Sequence, residues 1–262
     1  MTKIGYICPT YNAKQLDSYT RTALYSFAAT TPGGVAVIVD DGTPDWDSYE
    51  QELRNFAQSF NLPVEIFHYP ENGGLTRSWN QGLSICEHLG VDYAIASNND
   101  VIFTDKWWMG LVHALDNGYH MAGPLSNAAG VTAKGTQDVW NHFDSYRLTD
   151  DVVYLNEVSS ALIGKNLGKV VSSPVNGFFQ MAKMDSWKAG MYDSNHFYRP
   201  VNLYNSKGYK NQTPLMTLNE DELQGRWARN NMRSCICLSS FIFHYRAVTR
   251  GDKYKRGKWY RK

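Results

Sequence analysis

Four short apolar runs in the first hundred residues, each stopping at a polar break, constrain the fold most. Ile4–Cys8 stops at Pro9, Val35–Val39 at Asp40, Val64–Phe67 at His68-Tyr69-Pro70, and Tyr93–Ala96 at Ser97. Continuous apolar runs of this length suit strands buried on both faces. Helix-sized segments separate them: Ala13–Thr30, Asp45–Phe60 and Leu75–Leu89. Strand alternating with helix predicts βαβ units and a parallel sheet. Two acidic clusters fall where strands would end, Asp40-Asp41-Gly42 and Asn98-Asn99-Asp100. Ligands of open α/β sheets bind at that edge. The two clusters therefore predict one site that reads a nucleotide and holds a metal.

The pattern loosens after Gly123. Pro124–Gly130 reads as a loop, and the irregular stretch through Arg147 predicts a substrate-binding lid. Asp150 or Asp151 is placed to cap a helix reaching about Asn166. Val175–Ala182 reads as a strand, Asn195–Gln212 as a loop rich in Tyr and Asn, and Glu220–Asn230 as a helix. Cys235–His244 holds one or two more strands. The 262 residues suffice for a single α/β core. No apolar stretch is long enough to span a membrane. Met1-Thr2-Lys3-Ile4 enters a strand at once, which argues against a signal peptide. Cys8, Cys86, Cys235 and Cys237 lack metal-finger spacing and read as buried thiols of a reducing cytoplasm. Trp107, Trp108 and Trp187 read as core residues rather than sugar platforms.

A net charge of +1 hides an asymmetry. Arg246–Lys262 carries a net +7, so the preceding 245 residues carry −6. Arg246, Arg250, Lys253, Lys255, Arg256 and Lys258 are interleaved with Tyr254, Trp259 and Tyr260. A basic aromatic tail on an acidic body either contacts a polyanion, nucleic acid or a membrane surface, or is a solvated terminus.

Motifs along nearly the whole chain carry a family resemblance. Pro9-Thr10-Tyr11-Asn12 follows the first strand, Asp40-Asp41-Gly42-Thr43-Pro44-Asp45 the second, and Asn72-Gly73-Gly74-Leu75-Thr76-Arg77 the third. Asn98-Asn99-Asp100, Asn176-Gly177-Phe178, Met191-Tyr192-Asp193 and Glu220-Asp221 with Arg226 complete the series. In this order they resemble the motifs of family 2 glycosyltransferases of the GT-A fold. That resemblance implies a Rossmann-like, mostly parallel sheet flanked by helices, with an acceptor-side insertion. It implies a single catalytic domain over residues 1–245, divided into a nucleotide-sugar half (1–123) and an acceptor half (124–245), and followed by the tail 246–262.

The resemblance also implies roles. Pro9, Thr10, Tyr11, Asn12, Asp40, Asp41, Arg77, Asn98 and Asn99 would bind the donor. Asp40 and Asp41 suit base N–H and ribose hydroxyl donors, although Asp41–Asp45 also reads as a turn with a helix cap. Arg77 behind Gly73-Gly74 suits phosphate. Asp100 would ligate Mn²⁺ or Mg²⁺, with Asn98 standing where the family carries a first Asp. His244 is either a structural residue or a further metal ligand. Asn176, Gly177 and Phe178 would bind the acceptor. Asp221 would be the general base and Glu220 its partner, or the two form only the acidic first turn of a helix. One base without a second, nucleophilic carboxylate implies inversion. The donor is expected to be a UDP-sugar, and the acceptor a saccharide or a hydroxylated base in DNA, as for a phage-type enzyme. The alternatives are a non-catalytic DNA- or sugar-binding relative and a nucleotidyltransferase of related fold. The glycine-poor loop Pro9–Lys14 disfavours the latter.

Overall fold

The computed structural model describes residues 2–11, 13–129, 136–200 and 214–245; the side chains of 13–16 and 214–221 lie outside that description. Strands β1 (Ile4–Thr10), β2 (Gly34–Asp41), β3 (Val64–Tyr69) and β4 (Tyr93–Ser97) are parallel, in the spatial order β3-β2-β1-β4. Helices α1 (Ala13–Thr30), α2 (Trp46–Gln58) and α3 (Leu75–His88) connect them. The apolar runs explain this order. Alternate residues of β2 face opposite sides: Ala36 and Ile38 pack with one core, and Val35, Val37 and Val39 with the other. On α2, Trp46, Tyr49, Leu53 and Ala57 recur at helical spacing and are buried. On α3, Gly82 lets the helix lie directly on β1, because a Cβ there would overlap the Ile7 side chain.

The second half of the chain extends the same sheet. β5 (Val101–Phe103) is followed by α4 (Trp108–Asp116) and β6 (Met121–Leu125). Then come α5 (Val152–Asn166), β7 (Val170–Ser172), β8 (Phe179–Lys183), α6 (Met184–Ala189), α7 (Pro214–Arg229) and β9 (Ser234–His244). β8 runs antiparallel to β4 and joins it to β6, and β9 pairs with β6, β5 and β7. Asp151 caps α5 by accepting from the backbone N–H groups of Val153 and Tyr154.

Three differences from the sequence expectations have physical causes. Pro124 belongs to β6 rather than to a loop, where a shift in the β6–β9 register between Pro124 and Leu125 accommodates its missing donor. Ser126, Asn127, Ala128 and Ala129 are buried, and the Gln137 carboxamide bonds both the Pro124 carbonyl and the Asn176 N–H. The described part of the expected lid, 136–147, is thus partly a packed wall, with Gln137 and Val139 fully buried. β8 starts at Phe179 rather than Val175, because Gln224 and Gln137 take the backbone groups of Val175 and Asn176. Trp107 and Trp187 are fully buried. All four cysteines are free and buried, and burial pushes the Cys8 and Cys86 thiols up to about 12. Among the described residues no helix is long and apolar enough to cross a membrane.

Candidate active site

The C-terminal ends of β1, β2, β3 and β4 meet at one edge of the sheet. Register brings Thr10 beside Asp40, and Asp40 beside His68. Asp40 is fully buried. Its Oδ1 accepts from the hydroxyls of Thr10 (2.8 Å) and Thr43 (2.5 Å), and its Oδ2 from the Thr43 N–H (2.7 Å). His68 Nδ1 lies 2.9 Å from the same Oδ2, with its ring stacked on Trp46. Asp40 therefore knots three strand ends together. His68 and Trp46 carry no motif signal, although His68 sits where the third apolar run stops.

Asp41 makes a second knot. Its carboxylate accepts from the N–H groups of Gly73 (3.0 Å) and Gly74 (2.6 Å), and from Arg77 Nη2 (2.5 Å). The first two donors stand at the start of α3, where the helix dipole favours an anion. The Arg77 guanidinium lies 3.7 Å above the Tyr69 ring and also donates to the Glu71 carbonyl. Gly42 sits at φ +88, and a Cβ there would fall within 2.5 Å of the Glu71 backbone. Only glycine permits this close pass of the two loops. Arg77 and the Gly73-Gly74 amides thus face Asp41 in this arrangement. Pro9 is buried beside Val39, and Tyr11, just after β1, is exposed. Asn12 lies outside the described residues.

The end of β4 carries the candidate cation site. His244 Nε2 is 3.3 Å from Asp100 Oδ1 and 3.2 Å from Asn98 Nδ2. Its Nδ1 lies 3.0 Å from the Ala128 carbonyl, an acceptor only, so Nδ1 donates there and Nε2 is the nitrogen turned toward Asp100. Asn127 accepts from the His244 N–H and donates to its carbonyl, and Phe178 stacks on the ring at 4.9 Å. Asn127 had no sequence signal, because its segment reads as a loop. Tyr6 donates to the Asn98 carbonyl. Burial first, then the Cys8 thiol and Asp100, holds its phenol well above the usual range, so it stays a neutral donor. Asn99 is buried and donates to Thr20.

The donor chemistry fits a hard divalent cation. A carboxylate oxygen and an imidazole nitrogen stand 3.3 Å apart, the spacing of neighbouring ligands, and the Asn98 side chain is within reach. Among the described residues no group of three His, Cys, Asp or Glu side chains converges.

The acceptor-side segment is wired into this centre. The Phe178 carbonyl accepts from Ser97 Oγ and from the Asn98 N–H. Gly177 and Phe178 are buried and Asn176 is half-buried, its Oδ1 accepting from the Phe178 N–H. Phe178 is thus engaged with His244 rather than presented as an open platform. Gln224 of α7 clamps Val175. Arg226 donates to the Gly190 and Phe197 carbonyls, while Asn80 of α3 bonds the backbone of Phe197 and Tyr198. The side chains of Glu220 and Asp221 lie outside the described residues, as do Arg246, Arg250, Lys253, Lys255, Arg256 and Lys258.

Comparison with known proteins names the class. The profile of glycosyl transferase family 2 matches residues 6–181, and the chain belongs to that family. Its sheet, parallel over β3-β2-β1-β4, is flanked by helices. Among solved structures, residues 1–349 of S. aureus TarS are 20% identical, with 50% of this chain and 38% of that one covered at a TM-score of 0.39. The mannosyltransferase PcManGT from Pyrobaculum calidifontis, solved with GDP-Man and Mn²⁺, is 17% identical, with 47% and 35% covered at a TM-score of 0.38. This chain therefore spans less than two fifths of the length of either. No curated protein sequence matches it.

Proposed function

We propose that this chain moves a sugar from a nucleotide diphosphate sugar to an acceptor hydroxyl, by direct displacement with inversion. The observation that carries this reading is the meeting of Asp100 and His244 with the acceptor-side Phe178, beside the Asp40 and Asp41 knots, in a chain of this family. Residues 1–123 form the donor half and 124–245 the acceptor half. Thr10, Tyr11, Asn12 and the Asp41–Arg77 clasp border the nucleoside, with a UDP-sugar as the first donor to try.

Asp100 and His244 are the residues that would hold Mn²⁺ or Mg²⁺, which when bound offsets the charge growing on the leaving diphosphate. Asp221 accepts the acceptor proton, and Glu220 orients it. Both stand in α7, about one turn before Gln224, which holds Val175 of the acceptor segment. The test is incubation with a panel of nucleotide sugars and Mn²⁺, reading nucleoside diphosphate release and the anomeric configuration of the product by NMR. Retention, or no turnover with any donor, overturns the proposal. Asp100→Ala should weaken Mn²⁺-dependent donor binding by more than about 10-fold in calorimetry. An unchanged Mn²⁺ response would place the cation elsewhere.

The acceptor is a saccharide or a hydroxylated base in DNA. Tyr245 supports a role for the basic tail at this site. Its N–H donates to the Asp100 carbonyl, its ring packs on Tyr19 at 4.9 Å, and its hydroxyl donates to Asp150. Tyr245, the residue that precedes the +7 segment in sequence, is thus held beside the cation pair. Removing Arg246–Lys262 should weaken binding to DNA and flatten its salt dependence, since each neutralised phosphate adds about 0.7–0.9 to the slope. Unchanged DNA binding after truncation would free the tail of that role.

A further inference from the structure

Asp40 has no accepting capacity left for a ligand. Its two oxygens already take four donors: the Thr10 and Thr43 hydroxyls, the Thr43 N–H and His68 Nδ1. An ionised carboxylate offers about four lone-pair sites. The charge at the end of β2 therefore fixes its neighbours, and of these His68 keeps an open end. A carboxylate only accepts, so Nδ1 donates to Asp40 and Nε2 lies away from it on the ring. Among the described residues Nε2 has no protein partner, and the side chain is 29% exposed. Trp46 stacks on one face of the ring, at 5.3 Å and 6° from parallel. Trp46 is itself buried, with its indole N–H donating to Glu50. His68 pairs in register with Asp40, and Asp40 with Thr10, so the imidazole closes a row across the C-terminal ends of β1, β2 and β3. Ligands of open α/β sheets bind outside those ends.

We propose that His68 reads the nucleoside of the donor, its Nε2 hydrogen-bonding a polar group of the base edge or of the ribose. The proposal rests on the donor-site reading above and adds His68 to Asp41 and Arg77. Asp40 acts through His68, as the anchor that sets the orientation of the imidazole, and Trp46 is the wall behind it. The protein already holds the ring, so little side-chain freedom is lost when the nucleotide binds.

Two substitutions separate the ring nitrogens. His68→Asn keeps an amide N–H close to the place of Nδ1 and removes Nε2. His68→Gln keeps an amide close to the place of Nε2 and removes the donor to Asp40. The full chain and both variants are compared by urea unfolding and by calorimetry with Mn²⁺ and UDP, GDP, CDP or ADP, each also in its 2′-deoxy form. His68→Asn should unfold near the unsubstituted midpoint and bind the preferred nucleotide about 3- to 10-fold more weakly. His68→Gln should do the reverse, with lower stability and an affinity within about a factor of two. A loss in His68→Asn that vanishes with the 2′-deoxy nucleotide puts the contact on the ribose. A loss that persists there and differs between bases puts it on the base edge, and either result supports the proposal. Unchanged affinity in folded His68→Asn overturns it. Should neither variant fold, the Nε2 resonance of His68 in the isotope-labelled unsubstituted chain decides. It should shift on saturation with nucleotide, and an unmoved signal overturns the proposal. If the unsubstituted chain binds none of these nucleotides, the donor-site reading itself fails and the role of His68 falls with it.

Discussion

Asp221→Asn is expected to lower turnover by about 10²–10⁴-fold and to leave donor affinity within a factor of about two. The acceptor hydroxyl is a poor nucleophile until its proton is removed, and an amide cannot take that proton. On the proposed reading the donor meets other residues, Asp41, Arg77 and the Asp100 pair, so its binding has no reason to change. A loss confined to kcat is the signature of an interaction made only in the transition state. Glu220→Gln should cost less, because an orienting partner acts through Asp221. The measurement is steady-state turnover alongside calorimetric donor binding for both variants. Retained turnover in Asp221→Asn, with a collapse in Glu220→Gln, would exchange the two roles. Retained turnover in both would move the base off α7.

How far the fold could be read from the sequence follows burial. Long, doubly buried strands and their linking helices announce themselves, and α1 runs over Ala13–Thr30 as read. β5 and β7 have three residues each, too few to show a period, and they exist because β9 offers edges to pair with. β6 was hidden by Pro124, whose cost is absorbed by a register shift visible only in the sheet. The site was legible as a list of strand-end residues but not as a wiring plan. Phe178, marked from its motif as acceptor-side, packs on His244, some 66 positions later in sequence. His68 and Asn127 belong to no motif, because each acts through one carboxylate or one backbone peptide. The charge on Asp40 and Asp41 was visible; that each already has its donors within the protein was not.

Asp40→Ala should therefore be felt first as a loss of stability, by about 3 kcal/mol. The carboxylate has no exposed surface and accepts from the Thr10 and Thr43 hydroxyls and the Thr43 N–H, with His68 against it. Removing it strands a buried N–H and two hydroxyls, at about 1–3 kcal/mol for each group left without a partner, less whatever the hydroxyls recover by turning elsewhere. It also leaves a small void at the junction of β1, β2 and β3. Urea unfolding should show a lower midpoint at unchanged slope, and the melting temperature should fall by about 6–12 °C. Nucleotide affinity would fall as well, but only because the Thr10–Thr43 edge loosens. A carboxylate kept mainly to bind the base would behave in the opposite way. Its removal would cost less than about 0.5 kcal/mol and abolish nucleotide binding. The two outcomes separate cleanly in one variant: a large stability loss makes Asp40 the strut of the nucleoside pocket and leaves recognition to Asp41 and Arg77, whereas unchanged stability with lost binding makes Asp40 itself the reader.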